Sequence, residues 1–388
     1  MRDGWTETTL GDVTTHFRGT IKVEDGFPYP AAGVMMEGRG LIDREPFVGG
    51  VSGYKKLTPI APGQLVLRSI TAWEAPITVV PVGYVGRHVS GVFPVLNLDK
   101  HRLEPEFMRL ICQWPTFWNE MRMRATGSVL RRKTLSANQL QEIPMNLPPL
   151  VEQKRIVDVV SSVDAFIDAL QQQADTARTA RNALLHELLS AGGEDWTETT
   201  LGDIAEYING YPFKPDDLGD NGIPVIRIKQ LLDATEEVDR TNIEIPDKCV
   251  LMDGDIVFSW SGTLAVRVWN RGKAFLNQHL FRVIEKPGVS HDWLPLVIDH
   301  AIEELVEKSH GTTMKHITKQ TLLPHEVLLP PLVEQKRIVD VVSSMDDVIQ
   351  STERAVADAK NLRSGLLSDL LSGEHEIPAS YDVFLGAA

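Results

Sequence analysis

The chain has 388 residues, of which 43% are hydrophobic and 24% charged, a composition typical of a soluble globular protein with room for two domains. No apolar run approaches the ~20 residues that cross a membrane, and the polar N-terminus lacks the apolar core of a signal peptide, so no membrane contact is predicted. The two cysteines, Cys112 and Cys249, lack metal-ligand spacing, which indicates a reducing, cytoplasmic location rather than a disulfide or zinc framework.

The net charge of −14 is unevenly distributed along the chain. Residues 1–149 carry 17 Lys and Arg against 14 Asp and Glu, whereas residues 196–331 carry 13 against 21. The acidic excess therefore lies outside the first domain, and the total charge does not exclude a DNA-binding protein. It indicates that a DNA-facing surface would be local, and that basic partner subunits could supply part of the affinity for phosphate.

Two segments occur twice and divide the chain into halves. Trp5–Asp12 (WTETTLGD) returns at Trp196–Asp203, and Leu150–Ser162 (LVEQKRIVDVVSS) returns at Leu332–Ser344, each time after a pair of prolines. A repeat of this length is too long for a solenoid unit and has the size of a domain. We therefore predict two similar domains in tandem.

Each half predicts a mixed domain with the same order of elements. A strand-like stretch follows each opening WTETTLGD segment. In the first half come strands within 63–67, 77–85 and 92–98, one helix over 105–124 and a Gly-Ser loop. In the second half come strands within 254–258, 264–269 and 280–284, a helix over 293–308 and a Gly-Thr loop. The predicted fold class is therefore α+β (mixed α/β).

A long helix is predicted after each proline pair. Apolar residues recur there at alternating spacings of four and three, forming a narrow seam of about five heptads. The prolines mark the helix starts, and Gly192-Gly193 and Gly373 mark the ends, giving roughly 40 residues each. Arg181 and Arg363 occupy the same seam position, where a charge costs stability and can fix the register.

Neither long helix can bury its seam alone, so we predict that the two pair as an antiparallel coiled coil with approximate two-fold symmetry. The alternative is that both are long amphipathic helices within a larger core. The predicted boundaries are 1–147 for the first domain, 148–191 for the first helix, 192–329 for the second domain, 330–373 for the second helix and 374–388 for a tail. This tail is either flexible or docked on the first domain.

Two diverged domains joined by near-identical helices resemble the specificity (S) subunit of Type I restriction–modification systems. The resemblance rests on LPPLVEQKRIVDVVSSVDAFIDAL at 147–170 and LPPLVEQKRIVDVVSSMDDVI at 329–349. It also rests on the duplicated WTETTLGD segments and on three further stretches, the Gly-Ser loop at 127–133, the Gly-Thr loop at 311–316 and Asn221-Gly222-Ile223-Pro224 before a strand. It covers almost the whole chain.

The resemblance implies a bipartite reader of double-stranded DNA. Each variable domain would be a target-recognition domain for one half of the site, and the helix pair would set the gap between the halves. The helices would dock two DNA methyltransferase (modification) subunits, and restriction/translocase subunits would join the full complex. The chain would bind no cofactor or metal itself; S-adenosylmethionine, ATP and Mg²⁺ are expected on the partners, which would methylate adenine and restrict phage DNA.

Candidate DNA-binding residues in the first domain centre on its densest basic stretch, which has no acidic residue from 121 to 133. Arginine can address guanine or phosphate bidentately, and hydroxyls suit phosphate. The stretch comprises Arg122, Arg124, Ser128, Arg131, Arg132 and Lys133. Weaker candidates, near strand ends and a Gly-rich loop, are Tyr54, Lys55, Lys56, Arg68, Trp73, Arg87 and His88. The alternatives are a solvated surface run and, for Trp73, a core or rim aromatic.

In the second domain the equivalent loop is cationic within an otherwise acidic region. Its candidates are Thr312, Thr313, Lys315, His316 and Lys319. Asparagine and glutamine suit adenine edges, and the weaker candidates at strand ends are Tyr211, Arg227, Lys229, Ser261, Arg267, Asn277, Gln278 and His279. Asn277 has the alternative role of a turn residue, and His279 that of a structural histidine.

The sequence contains no recognisable catalytic signature. Leucine, not Asn or Asp, precedes both proline pairs, so the amino-methylation motif is missing, and Gly272-Lys273 is followed by alanine rather than the Ser or Thr of a phosphate loop. We predict a non-catalytic DNA-recognition subunit. Two alternatives stay open: the specificity chain of another restriction class, and a protein-binding coiled-coil scaffold, which would show no salt-sensitive DNA affinity.

Overall fold

The computed structural model describes residues 4–129, 132–308 and 317–385. The chain divides into two compact units: the first comprises Met1–Leu170 with Ala355–Ala388, and the second comprises Gln171–Arg354. Each long helix contributes one half to each unit. Within the described residues, no helix combines the length and apolar character needed to cross a bilayer.

Before the first long helix, the described residues form eleven strands and three α-helices, besides short 3-10 helices. The strands are β1 (Thr6–Thr9), β2 (Thr14–His16), β3 (Ile21–Lys22), β4 (Pro28–Val34), β5 (Leu41–Val48), β6 (Lys56–Pro59), β7 (Leu65–Leu67), β8 (Ile77–Val79), β9 (His88–Val89), β10 (Val95–Leu98) and β11 (Pro144–Leu147). The helices are α1 (Pro105–Cys112), α2 (Pro115–Arg124) and α3 (Ala137–Gln141). The first long helix, α4, is Leu150–Ser190.

The remaining elements run from β12 to a last short helix. The strands are β12 (Thr197–Thr200), β13 (Ala205–Asn209), β14 (Ile223–Ile226), β15 (Arg240–Thr241), β16 (Val250–Leu251), β17 (Ile256–Ser259), β18 (Ala265–Val268), β19 (Ala274–Leu276), β20 (Leu280–Glu285) and β21 (Glu326–Leu329). The helices are α5 (Leu201–Ile204), α6 (Ile228–Leu232), α7 (Leu294–Lys308), α8 (Lys319–Leu322), the long α9 (Leu332–Ser372) and α10 (Asp382–Leu385).

The duplicated opening segment forms a strand that pairs with the end of its own domain. β1 is antiparallel to β11, with Thr6 opposite Leu147, and β12 is antiparallel to β21, with Thr197 opposite Leu329. These strands lie within the WTETTLGD segment and are followed by the predicted strands β2 and β13. Each ribbon therefore joins the two ends of a variable domain immediately before a long helix begins.

Each unit has a four-stranded sheet with the same strand order, which we call the shared sheet, and a second sheet that differs between the units. The order β2-β10-β7-β8 in the first unit matches β13-β20-β17-β18 in the second. The additional sheet has five strands in the order β3-β6-β9-β4-β5 in the first unit and four in the order β15-β14-β19-β16 in the second. The mixed α+β class is confirmed, and the two domains differ mainly in this additional sheet.

The single helix predicted over 105–124 is wrong, because two helices occupy that range. α1 ends at Cys112 and α2 begins at Pro115. Pro115 has no N–H to donate and disfavours the helical conformation of Trp114, which adopts extended backbone angles (φ −89°, ψ 123°). In the second unit no proline interrupts the equivalent stretch after Pro295, and α7 is continuous.

The long helices lie inside the predicted ranges 148–191 and 330–373: each begins two residues later, just after the proline pair, ends one residue earlier and has 41 residues. Their seam is correct up to the central arginines, with Ile156, Val160, Ile338 and Val342 at most 1% exposed. Near the C-terminal ends the buried face shifts by one residue. In α4 it consists there of Leu185 and Leu189, and in α9 Leu367 and Leu371 are buried together with the predicted Leu370, because the last turns pack on a domain core.

The two seam arginines bind equivalent carboxylates. In the second unit Arg181 makes a bidentate pair with Asp346, with Nε–Oδ1 at 3.0 Å and Nη2–Oδ2 at 3.3 Å. In the first unit Arg363 pairs in the same way with Asp164. In the second unit Arg178 on α4 also pairs with Glu353, so the α9 partner number falls from 353 to 346 as the α4 number rises from 178 to 181. These two helix segments therefore run antiparallel, as predicted. The cost of a seam charge is offset by these pairs.

A fully buried glutamine near the start of each long helix links it to the variable domain. Gln153 accepts a hydrogen bond from the Glu104 N–H at 2.8 Å and donates to the carbonyls of Arg102 at 2.7 Å and Pro148 at 2.8 Å. In the second unit the same three bonds join Gln335 to Ser290, Gly288 and Pro330. One side chain thus pairs with three backbone groups, of which the carbonyl of Pro148 or Pro330 is buried and would otherwise have no partner there.

The C-terminal tail docks on the first unit. Ile377 is 6% exposed within the main core of that unit, and the Tyr381 hydroxyl donates to Asp158 Oδ2 at 2.6 Å. Asp382 accepts a bidentate hydrogen bond from Arg155. Of the two alternatives left open for the tail, docking is therefore correct.

We expect this docking to weaken in acid. The hydrogen bond from Arg155 holds the pKa of Asp382 below its ordinary value. A group with a lowered folded-state pKa stabilises the docked state above its unfolded pKa, and that contribution is lost as the pH falls through the folded pKa. The anisotropy of a fluorophore at the C-terminus should fall over that acidic range, while an Asp382→Asn variant should show a smaller change there.

Candidate nucleic-acid interface

In the second unit, a tight turn carries three predicted DNA-binding residues. Asn277, Gln278 and His279 connect β19 to β20, and the Asn277 side-chain oxygen accepts from the His279 N–H at 3.3 Å. The Asn277 N–H donates to the Ile226 carbonyl at 3.1 Å, and the Gln278 N–H donates to the Tyr211 carbonyl at 3.1 Å. The turn role considered for Asn277 is thus present, and Asn277 is only 4% exposed.

The hairpin loop after β17 packs against this turn. Ser261 Oγ lies 3.5 Å from His279 Nδ1, and the ring centroids of Trp260 and His279 are 5.8 Å apart. Trp260 also stacks on Phe281, with centroids 5.8 Å apart. The exposed His279 ring therefore extends an aromatic platform at the end of the shared sheet, and such platforms suit contact with sugars and bases.

One lysine contacts the platform, and two further basic residues follow the strand that supports the turn. The Lys319 ammonium donates to the Tyr207 carbonyl and lies 5.1 Å from the centroid of the Phe281 ring. Lys229 is exposed on α6, directly after the strand whose Ile226 carbonyl binds the turn. Arg227 precedes it and forms an ion pair with Asp239 at 2.8 Å.

The structure thus gathers many of the second-unit candidates at one end of the shared sheet. They are Tyr211, Ser261, Asn277, Gln278, His279 and Lys319. Arg227 and Lys229 instead follow β14, the strand whose Ile226 carbonyl accepts from the turn. Arg267 lies on β18 opposite Val257, and its guanidinium donates to the Val266 carbonyl at 2.7 Å. Thr312, Thr313, Lys315 and His316 lie outside the described residues.

In the first unit, the corresponding hairpin loop between β7 and β8 has a left-handed backbone at two of its residues. Thr71 and Ala75 have φ of 56° and 46°, and neighbouring Glu37 has φ of 55°; these are the positive-φ non-glycine residues of the described chain. The Glu37 N–H donates to the carbonyls of Glu74 at 3.1 Å and Ala75 at 2.9 Å. Such conformations cost energy and persist where surrounding contacts enforce them.

Arginine–carboxylate pairs hold this strained loop. Arg122 on α2 donates from Nε to the Trp73 carbonyl at 2.8 Å and from Nη2 to Glu37 at 2.9 Å. Arg68 forms an ion pair with Glu74. Arg68 and Arg122 therefore have structural roles inside the unit, and Trp73 lies half-buried in the loop they hold.

The rest of the predicted basic stretch is unevenly exposed. Arg124 pairs with Glu120 on the same helix, whereas Ser128 and Arg132 are exposed and Lys133 is partly buried. Arg131 lies outside the described residues. The described exposed members of the stretch, Ser128 and Arg132, are therefore the ones available to a ligand without breaking a contact to a carboxylate.

The remaining first-unit candidates lie on or beside the five-stranded sheet. Tyr54 packs edge-on against Phe47, with ring centroids 5.1 Å apart, and Lys55 and Lys56 are exposed. The last two candidates bind neighbouring strands: Arg87 pairs with Asp43 at 2.9 Å, and His88 Nδ1 lies 3.2 Å from the Pro30 carbonyl.

The loop after β7 in the first unit and the loop after β17 in the second unit are anchored by equivalent hydrogen bonds. The Leu135 N–H donates to the Ser69 carbonyl at 2.9 Å, and the Ile317 N–H donates to the Trp260 carbonyl at 2.9 Å. Leu135 and Ile317 each follow the Gly-Ser or Gly-Thr loop, 182 residues apart. The sequence prediction missed Trp260, Glu37 and Glu74; an aromatic residue at a strand end before Ser-Gly was a signal for Trp260 alone.

The described residues include no group of three or more His, Cys, Asp or Glu side chains placed to hold a metal ion. Cys112 and Cys249 are free and buried, and burial raises the pKa of both thiols. A raised pKa keeps a thiol protonated and unreactive.

We expect Gly210→Ala to disrupt the platform of the second unit. A Cβ at Gly210 would lie 2.3 Å from the carbonyl oxygens of Leu276 and Asn277, so the turn must move. Overpacking of this kind costs about 1–3 kcal/mol. Gly219→Ala is the matched control, because a Cβ there meets nothing within 4 Å. Equal urea midpoints for the two variants would contradict the close approach.

Comparison with known proteins shows the same duplicated organisation. Residues 2–177 and 193–358 each match the family model of the Type I restriction modification DNA specificity domain. The chain is 23% identical over 265 residues to the Type I restriction enzyme MjaVIII specificity subunit of Methanocaldococcus jannaschii, covering 60% of this chain and 62% of that protein. It is 24% identical over 296 residues to the EcoKI specificity subunit of Escherichia coli K12, covering 66% and 62%.

Two further matches differ in how much they cover. The EcoBI specificity subunit of Escherichia coli is 21% identical over 187 residues, covering 46% of this chain and 39% of that protein. The chain thus spans less than two thirds of the length of these curated relatives. A solved chain, from work on complex assembly and conformational transition of the type I R-M system, has a TM-score of 0.68 at 20% identity, covering 95% of this chain and 98% of that one, and supports the fold.

Proposed function

The chain belongs to the family of Type I restriction modification DNA specificity proteins, and we propose that it reads a bipartite DNA target without itself catalysing a reaction. The observation that carries this proposal is the duplicated interface. In each unit one backbone hydrogen bond of 2.9 Å anchors the loop of the β7–β8 or β17–β18 hairpin. Its donor is the N–H of Leu135 in the first unit and of Ile317 in the second. Two readers on one chain suit a target made of two half-sites.

The frame of each unit and the loops at the end of its shared sheet support different roles. The shared sheet, the ribbon and the buried glutamine are nearly the same in both, so they form a common frame. The loops at the sheet end differ in sequence and carry hydrogen-bonding, aromatic and cationic groups. We infer that these loops contact base edges and phosphates and that their differences give each half-site its own sequence.

Catalysis and its cofactors belong, in this proposal, to partner subunits. Two methyltransferase subunits would dock on the chain and supply S-adenosylmethionine chemistry at adenine, and restriction/translocase subunits would supply the ATP- and Mg²⁺-dependent steps. The residues of this chain would position those subunits by binding DNA at two places. The assembly would act in the cytoplasm, where its DNA substrate lies.

The test is a base-resolution methylome of cells that express the cognate methyltransferase subunit with and without this chain. The expected result is a split motif of two short half-sites that appears only when the chain is present. If methylation is unchanged while the two proteins associate, the chain does not direct the enzyme. The result would then favour the alternative of a protein-binding coiled-coil scaffold over a DNA reader.

We expect Lys229→Gln to weaken binding at one half-site only. The exposed ammonium follows the strand that supports the 277–279 turn, and loss of one phosphate contact should reduce the slope of log K against log salt by about 1. Lys286→Gln is the control, because Lys286 follows the opposite end of β20 and donates to the Gly202 carbonyl at 2.6 Å. If both variants and the parent chain have the same slope of log K against log salt, Lys229 does not contact DNA phosphate.

A further inference from the structure

The tail of the chain occupies a surface on α4 whose sequence is repeated on α9. In the first unit, Asp382 pairs with Arg155 and Tyr381 donates to Asp158 at 2.6 Å. Arg155 and Asp158 belong to the segment LVEQKRIVDVVSS, which is identical in the two long helices. The same side chains in the same helical spacing therefore occur again on α9, as Arg337 and Asp340.

Among the described residues, no tail segment covers the α9 copy in the second unit, and the connectivity explains why. α4 ends at Ser190 and β12 begins at Thr197, so the chain enters the next domain at once, whereas α9 is followed by the tail. Side-chain exposure reflects this difference: Arg155 is 14% exposed and Arg337 is 66% exposed.

The exposed α9 residues form one continuous stripe. Val333, Arg337 and Val341 follow each other at four-residue spacing, which places them on one side of a helix, and Asp340 adjoins them. Val333 is 83% exposed and Val341 is 37% exposed. We call Val333, Arg337, Asp340 and Val341 the α9 face. Arg337 contacts Glu334 on its own helix at 3.7 Å, a distance too long for a strong hydrogen bond.

We propose that the α9 face binds a segment of a different protein in which a tyrosine is followed directly by a carboxylate residue. The chemistry is already present on α4, where identical side chains hold such a pair: an arginine fork grips the carboxylate, and an aspartate accepts from the phenol. The flanking valines would lose exposed apolar surface on binding. This inference does not rest on the proposed DNA function.

The tail of a second copy of the chain is a poorer occupant. To reach the α9 face of a neighbour, that tail must leave its own α4, so it exchanges one set of contacts for an equivalent set. Tethering gives the intramolecular site an effective concentration of about 1 mM, which favours the tail staying where it is. A segment from another protein gains the contacts without giving up any.

The probe for this test is a labelled peptide with the sequence of residues 374–388, and the binding partner is the full chain. We expect one peptide site on the full chain, namely the α9 face. A chain ending at Ser380 keeps Ile377 but lacks Tyr381 and Asp382, and it should bind two peptides. Unfolding curves that coincide would show that both chains are folded.

Charge reversal assigns the sites. In the full chain, Arg337→Glu should weaken peptide binding about tenfold or more, because a charge-assisted pair is replaced by repulsion. In the shortened chain, Arg337→Glu and Arg155→Glu should each remove one of two sites, and the double variant should remove both.

Three results would overturn the inference. They are absence of saturable binding to the full chain at millimolar peptide, equal binding by the Arg337→Glu chain, and a single site on the shortened chain that only Arg155→Glu removes. Self-association of the full chain that Arg337→Glu abolishes would instead identify a second copy as the occupant and would also contradict the proposal.

Discussion

Gln153→Ala should destabilise the first unit by about 3 kcal/mol or more. The side chain is fully buried and makes three hydrogen bonds to backbone groups, one accepted and two donated. Its removal leaves the buried Pro148 carbonyl without a partner, which costs about 1–3 kcal/mol, and deletes two part-buried hydrogen bonds that contribute about 0.5–1.5 kcal/mol each. The change is measured as a shift in the urea unfolding curve, with Gln335→Ala expected to act in the same way on the second unit.

The same helix offers a matched control. Gln172→Ala changes the same residue type at an exposed position of α4 and should alter the unfolding free energy by less than about 0.5 kcal/mol. Gln153→Glu separates hydrogen bonding from packing, because it keeps the volume but loses the two donors that face carbonyl oxygens. If Gln153→Ala and Gln172→Ala had equal effects, the buried glutamine would not link the helix to its domain.

Lengthening both long helices by one heptad should lengthen the gap in the DNA target by about three base pairs. Seven residues add about 10.5 Å of helix at 1.5 Å per residue, and a base pair rises about 3.4 Å. The insertions are placed between Asp164 and Arg181 in α4, and between Asp346 and Arg363 in α9. Both ion pairs then keep their partners, because the two insertions lie opposite each other. The methylome measures the new gap.

A heptad inserted into α4 alone is the control. The pairs Arg181–Asp346 and Arg363–Asp164 then cannot both keep their register, so the chain should lose stability and sequence-specific methylation together. A matched pair of insertions that leaves the gap unchanged would contradict the role of the helices as a spacer, even if the chain still directs methylation.

The long helices could be predicted almost to the residue because their signals are local. Proline pairs, glycines and a heptad seam define start, end and buried face, and the structure agrees over 41 residues in each copy. The predicted seam was wrong near Leu185 and Leu189, and the buried face is wider than predicted around Leu370, because both helix ends pack on a domain core. That packing depends on residues far away in the sequence, which periodicity cannot indicate.

The sheets and the interface were harder to predict for the same reason. Strand β4 contains two prolines, and β5 is largely exposed with charged residues, so neither has the alternating pattern of a strand. The basic stretch showed where positive charge is dense. It did not show that Arg122 is held by Glu37, 85 positions earlier, because an ion pair leaves no mark in local composition.

The reciprocal ion pairs have a consequence for shorter chains. Asp164 and Arg181 both lie on α4, and each binds the α9 residue 182 positions after the other. The seam of α4 is therefore complementary to itself. Two copies of a chain that ends after α4 could form the same two ion pairs between identical helices, giving a symmetric dimer with two identical readers. Such a dimer would read an inverted repeat instead of two unlike half-sites.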